Sequence, residues 1–169
     1  MQLVPRDIHA KTGHTGGFQP STRKMKIDTL GPPVCADDIA RIEQDLDAKL
    51  PADYKKFLLQ FNGGAPTPDT VDVLNAPDMP TDVQVFFGIG RPVRSSDLFW
   101  NLAFINKRCF GQHLLPIACD SGGNLFCLRV ERDETVEVVY CDLDQSDCVM
   151  YFVASSFSEF FNKLRPFQQ

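Results

Sequence analysis

Residues that commonly carry chemistry are scarce in this chain. It has three histidines, one tryptophan and no Cys-x-x-C pair in 169 residues. Without paired cysteines at ligand spacing, and with histidines scattered at 9, 14 and 113, a structural zinc site has no support. No apolar run approaches the ~20 residues that cross a bilayer. Residues 1–31 contain no continuous apolar segment of the kind that marks a secretion signal. The expectation is a cytoplasmic protein without a membrane role. Basic charge is short as well, with 17 Lys and Arg against 22 Asp and Glu, a net charge of −5. Arg6, Lys11, Arg23 and Lys24 against Asp7 give the first 24 residues a local +3, so the remainder is more acidic still. An acidic body argues against nucleic-acid binding, which needs a basic surface. It suits a basic protein partner, because opposite fields speed association.

What is present is an ordinary globular composition, 43% hydrophobic and 23% charged, long enough for one domain with its own core. Six cysteines lie at 35, 109, 119, 127, 141 and 148. Set among apolar strand residues and without an export signal, they are expected to be buried reduced thiols. Residues 1–33 are expected to be a flexible tail, because Gly13, Gly16, Gly17, Pro20, Pro32 and Pro33 break every pattern. Met25 is a possible start of the domain, which is placed at residues 34–169.

The sharpest local signal is Leu50–Gly64, LPADYKKFLLQFNGG. Pro51 suits a first helical turn and Asp53 favours the positive end of the helix dipole. Tyr54, Phe57, Leu58 and Phe61 share one helical face, and Asn62-Gly63-Gly64 supplies positive-φ residues that stop a helix. A preceding helix is predicted from Ile39, Ile42, Leu46 and Leu50, capped by Asp37 or Asp38. Ala65–Met79 reads as a loop. Val83, Val85, Phe87 and Ile89 alternate with Asp82, Gln84, Phe86 and Gly88, predicting a half-buried strand. Asp97–Asn106 predicts a helix that places Trp100 in the core; an exposed binding anchor is the lesser alternative. Leu114–Ala118, Leu125–Val130, Thr135–Cys141 and Cys148–Val153 predict an antiparallel meander. Ser156-x-x-Glu159 is a capping box for a last helix that buries Phe157, Phe160, Phe161 and Leu164. The fold class is therefore α+β, a single domain with a central, mainly antiparallel β-sheet flanked by helices.

No catalytic site converges in this pattern, and no cofactor is implied. Asp120-Ser121-Gly122-Gly123 has the look of a serine-protease nucleophile segment. His113 is the only domain histidine, and no two-barrel scaffold fits this length, so the stretch reads as a turn. Cys109 or Cys119 with His113 lacks an orienting third group. Asp142–Asp147 begins like a calcium loop but has Asp147 and Val153 where Gly and Glu are required. Gly88-Ile89-Gly90 lacks the third glycine of a dinucleotide site. Arg91 and Arg94, which could bind an anion, read as exposed charges. One spatial inference remains. Two strands after Asp120 the meander returns to Asp142, so Asp120, Asp142, Asp144 and Asp147 are expected at one sheet end. Turn aspartates bonded to their own backbone are the plainer reading for Asp120; a negative patch for a basic partner is the sharper one.

Taken together, these pieces resemble the SUKH superfamily, the Smi/Knr-type domain. The matching residues are Ile42-Glu43 and Leu46, then LPADYKKFLLQFNGG, then Val85-Phe86-Phe87-Gly88. They continue with LPIACDSGGNLFCL ending at Leu128, Val139-Tyr140-Cys141-Asp142, and Ala154 to Phe160. The resemblance covers about residues 36–165. It implies a non-enzymatic bacterial immunity protein that binds and neutralises a cognate polymorphic toxin, often a nuclease, by direct contact. The alternative it carries is a regulatory or scaffold binding module, as in fungal relatives. The expected assembly is a monomer or weak homodimer.

Overall fold

In the computed structural model, the described residues are 24–109, 111–131, 136–144 and 148–168. The first ordered pattern is strand β1 (Lys26–Asp28), which turns Ile27 towards the core between two exposed charges. It pairs antiparallel with β2 (Ala65–Thr67). Residues 26–28, within the stretch expected to be a tail, are thus a strand, and the expected loop from Ala65 begins as one. Three-residue strands are too short to show a period of two, and their partners lie nearly 40 positions apart.

Helix α1 (Ala36–Leu46) buries Ile39, Ile42 and Leu46. Its N-cap is Cys35, not Asp37 or Asp38. Asp38 sits at the third helical position, and its carboxylate accepts the Cys35 backbone N–H at 2.9 Å, the reach-back half of a capping box. Asp47, at φ 52°, ends the helix. Glu43 then holds the corner to the next helix. It accepts the Leu50 N–H at 2.9 Å and pairs with Lys49 at 2.9 Å and Lys55 at 2.6 Å. Burial raises the Glu43 pKa, but hydrogen bonds from Lys55, Lys49 and Leu50 outweigh it and bring it from the ordinary 4.5 to about 2.

A carboxyl with a depressed pKa stabilises the fold fully above its unfolded value and loses that contribution as pH falls. Glu43→Gln is expected to lower stability by about 2–3 kcal/mol at pH 7. The gap from wild type should close between pH 4.5 and pH 2, the interval set by the two pKa values. Urea unfolding at pH 7 and pH 3 measures both; a pH-independent gap would contradict the role of the charge.

Helix α2 (Ala52–Gln60) follows, with Pro51 as its N-cap and Tyr54, Phe57 and Leu58 buried. Asn62, Gly63 and Gly64 have φ of 49°, 86° and 122°, the predicted stop. Beyond β2 the chain forms β3 (Thr70–Val71) and β4 (Thr81–Asp82), an antiparallel pair outside the main sheet. Strand β5 (Val85–Phe86) joins the main sheet. The predicted alternating strand is thus split. Val83, Phe86 and Phe87 are all buried, so Phe86 does not face solvent. The chain changes sheets between residues 82 and 85, which resets the alternation.

Helix α3 (Leu98–Arg108) is capped by Asp97, whose carboxylate accepts the Trp100 N–H at 3.0 Å. It buries Leu98, Leu102 and Ile105. Trp100 is on the outer face, which corrects the expectation that it sits in the core. The meander forms as predicted: β6 (Leu114–Cys119), β7 (Leu125–Val130), β8 (Val136–Asp142) and β9 (Val149–Ala154). The main sheet runs β5-β6-β7-β8-β9, antiparallel throughout. Helix α4 (Phe157–Lys163) buries Phe157, Phe160 and Phe161, and Leu164 follows them inward. Ser156 Oγ accepts the Glu159 N–H at 3.0 Å, and Glu159 accepts the Ser155 N–H at 2.8 Å. The α+β class with a central antiparallel sheet stands.

Cysteine pairing departs from expectation. Cys109, after α3, and Cys148, before β9, form a disulfide with Cα atoms 5.7 Å apart. Their separation of 39 residues gives no spacing signal; only the approach of the two ends brings them together. Cys127 and Cys141 are buried and free, as expected, whereas the free thiol of Cys35 is exposed. Among the described residues, no helix is long and apolar enough to cross a membrane.

Candidate partner-binding surface

The candidate surface lies where β6 ends and β7 begins. The β7–β8 register sets Leu125 opposite Cys141, so the Asp120 turn and the residues after Asp142 share one sheet end. Asn124 ties them directly. Its Oδ1 accepts the Leu143 N–H at 2.8 Å, and its Nδ2 donates to the Tyr140 hydroxyl at 2.9 Å. That hydroxyl donates to Asp120 Oδ2 at 2.7 Å, and Thr81 Oγ1 donates to the same oxygen at 3.0 Å. Asp120 Oδ1 accepts the Asn124 N–H at 2.8 Å, the plain turn role.

The inferred gathering of carboxylates divides on inspection. Asp120 is 3% exposed and Asp142 5%, so neither carboxylate is free to make direct surface contacts. Asp142 Oδ1 accepts the Asp144 N–H at 3.0 Å, and Asp144 is exposed. Asp147 lies outside the described residues. Asp82, which sequence reasoning did not select, also belongs here. It accepts the Ser121 backbone N–H at 3.0 Å and the Ser121 hydroxyl at 2.6 Å. No sequence signal links the two, because β4 pairs in a different sheet. Two neighbouring groups register the charge. The Cys119 thiol is pushed up to about 11 by burial, then by Asp120 and Asp82. The Tyr140 hydroxyl is raised by burial, then by its hydrogen bond to Asp120 and by the charges of Asp120 and Asp142. Arg108, which donates to the Leu143 carbonyl, balances part of this field.

Helix α3 supplies the facing wall. Trp100 and Phe104, four residues apart on one helical face, are 41% and 39% exposed. Their rings stack nearly parallel, with centroids 6.0 Å apart and 6° between planes. Between them and the Asp120–Gly123 turn lies a groove of about 300 Å³, also lined by Phe87 and Leu143. Two stacked aromatic side chains left half in water beside fixed carboxylates are suited to contact with a protein surface, where such residues contribute most.

The other sequence candidates do not converge on chemistry. Ser121 donates its hydroxyl to Asp82, and β6 separates it from His113 by about 20 Å. Cys109 is in a disulfide and has no thiol to offer as a nucleophile. Gly90 and Arg91 N–H groups donate to Asp97 Oδ2 and shape the approach to α3. Arg91 Nε and Nη1 are buried without a hydrogen-bond partner, so this residue is not simply a solvated charge. Among the described residues, no group of three or more His, Cys, Asp or Glu side chains is arranged to hold a metal ion.

Among the described residues, four α-helices and a five-stranded antiparallel sheet, tied through the Asn-Gly-Gly stop of α2, form an α+β domain. The chain belongs to the SMI1 / KNR4 family (SUKH-1), whose sequence model matches residues 33–163. It is also similar to the SPbeta prophage-derived uncharacterized protein YokK of Bacillus subtilis (strain 168). The two are 24% identical over 140 residues, which cover 73% of this chain and 71% of that protein.

Proposed function

We propose that this chain is a non-enzymatic immunity protein that binds a cognate polymorphic toxin with a basic surface, such as a nuclease, and blocks it by direct contact. The observation that carries the reading is the exposed Trp100–Phe104 pair beside the acidic sheet end. The aromatic rings offer contact area, while Asp144 and the fields of Asp82, Asp120 and Asp142 select a basic partner. The family and the prophage origin of a relative support a role in conflict between bacteria and mobile elements. Asp147, three positions after Asp144 in the sequence, is proposed as a further member of the patch on sequence position alone.

The test uses the toxin encoded beside the gene. Trp100→Ala with Phe104→Ala is expected to weaken binding by about 100-fold, and Asp144→Lys by about 10-fold, in calorimetric titration. Melting temperatures should change little, since all three side chains are exposed. Asp142→Lys is unsuitable because it places a cation at a buried position. Unchanged affinity in these variants would move the interface elsewhere. No binding to, and no protection from, any neighbouring toxin would overturn the function itself.

A further inference from the structure

The Cys109–Cys148 disulfide sits where the two walls of the Trp100 groove come together. Trp100, Phe104 and Arg108 follow one another at four-residue steps along the exposed face of α3. Cys109 is the next residue, at the helix C-cap. Arg108 donates to the Leu143 carbonyl, and Leu143 lines the groove opposite the rings. Cys148 leads into β9, whose Val149 pairs with Asp142. Both elements have their own means of docking. Helix α3 buries Leu98, Leu102 and Ile105 and packs against β6. The β8–β9 ladder runs from Val138 and Ala154 to Asp142 and Val149. The disulfide therefore adds a covalent tie at one junction, between the end of α3 and the end of the β8–β9 hairpin that carries Leu143 and Asp144.

The bond is within reach of solution. Cys109 is 6% exposed, but Cys148 is only half-buried. The other close pair, Cys127 and Cys141, has its sulfurs 3.7 Å apart and is fully buried. Of the two pairs, a thiol reagent meets Cys148 first. We propose that the Cys109–Cys148 disulfide is a redox-controlled clamp on the groove. Closed, it fixes Leu143 and Asp144 beside the Trp100–Phe104 face of α3; opened by a dithiol, it frees that segment and weakens partner binding. A thiolate of the dithiol attacks Cys148 Sγ, the bond to Cys109 breaks, and Cys109 leaves and takes a proton. The second sulfur of the dithiol then displaces Cys148 as a thiol. Two electrons and two protons pass to the protein, and the dithiol becomes a disulfide. Closing runs the other way, with the disulfide of a small thiol as oxidant. A segment held in place beforehand spares a partner the cost of ordering it. The effect on a partner rests on the binding surface proposed above, whereas the clamp itself does not.

The test uses the full chain. After treatment with oxidised glutathione, peptide mapping is expected to find Cys109 joined to Cys148 and the other four cysteines as thiols. Failure of that link to form overturns the proposal. The amides of Cys109, Leu143 and Asp144 are hydrogen-bonded to Ile105, Asn124 and Asp142. On reduction with dithiothreitol they should exchange hydrogen at least several-fold faster, while the amides of Phe126 and Val139 in the meander stay unchanged. Equal exchange in the two states overturns the clamp. So does a loosening shared by the meander, which would make the bond a support of the whole fold. Cys109→Ser with Cys148→Ser should match reduced wild type and ignore dithiothreitol; a variant that still responds would place the switch at other thiols. With the toxin encoded beside the gene, reduction is expected to weaken binding by about 10-fold, and equal affinity in both states overturns the proposal. Binding in neither state overturns the toxin reading instead, and the exchange result still decides the clamp.

Discussion

Gly88→Ala is expected to cost about 4 kcal/mol or more and to leave the domain largely unfolded near its working temperature. A Cβ built at Gly88 would lie 2.0 Å from the Asn62 carbonyl oxygen, 2.7 Å from the Asn62 carbonyl carbon and 2.8 Å from Asn62 Oδ1. Backbone of a buried residue cannot swing aside as a surface side chain can. Asn62 is itself fixed from both ends of its amide. Its Nδ2 donates to the Pro32 and Ile89 carbonyls at 2.8 Å each, and its Oδ1 accepts the Ile89 N–H at 2.7 Å. One side chain thus ties the segment before α1, the end of α2 and the segment after β5. The control is Gly123→Ala. That position has φ 93° but nothing within 4 Å of an added Cβ. Only the backbone preference is lost there, about 1 kcal/mol. Urea unfolding of the two variants separates clash from conformational strain. Equal losses would mean that the close approach at Gly88 is not the cause.

Phe57→Ala should be nearly as damaging, at about 3–5 kcal/mol. Phe57 is fully buried, and its ring lies 4.9 Å from both Phe86 and Phe157 and 5.8 Å from Phe161. It joins α2, the edge of the main sheet and α4 at one point. Removing it leaves a cavity among three elements that cannot all close inward together. Phe61→Ala is the comparison, since that ring lies 5.4 Å from Phe57 but is only partly buried. It should lose distinctly less. A loss below about 1.5 kcal/mol at Phe57 would show that the core closes around the gap.

These two residues also show how unevenly the fold was legible. Phe57 stood out in the sequence because it shares a helical face with Tyr54 and Leu58, within one segment. Its partners Phe157 and Phe161 were equally visible, on a helix announced by its own capping box. The importance of Gly88 was not visible, since Asn62 lies 26 positions away and its own local signal is only that of a helix stop. Phe86 was assigned to solvent because a period of two was extended through a place where the chain changes sheets. Trp100 was assigned to the core because hydrophobicity reports preference for burial, not which face of a helix meets a neighbour. The disulfide was missed for a similar reason, since residues 109 and 148 are brought together only by the docking of α3 against the meander.

The acidic sheet end divides the same way. Counting strands was enough to place the Asp120 and Asp142 turns together, because alternate turns of a meander must share an end. It could not say that Asp120 and Asp142 are buried while Asp144 is not, nor that Asp82 joins them from another sheet. By itself, then, the sequence determined the α+β class, the helices α2 and α4, the meander and the family pattern. Each of these rests on interactions within one helix, one hairpin or one turn, which neighbouring residues specify. Only the tertiary structure decided which aromatic residues reach solvent and which carboxylates are buried. Those depend on contacts between segments far apart in the chain, whose free energy no local window of sequence contains.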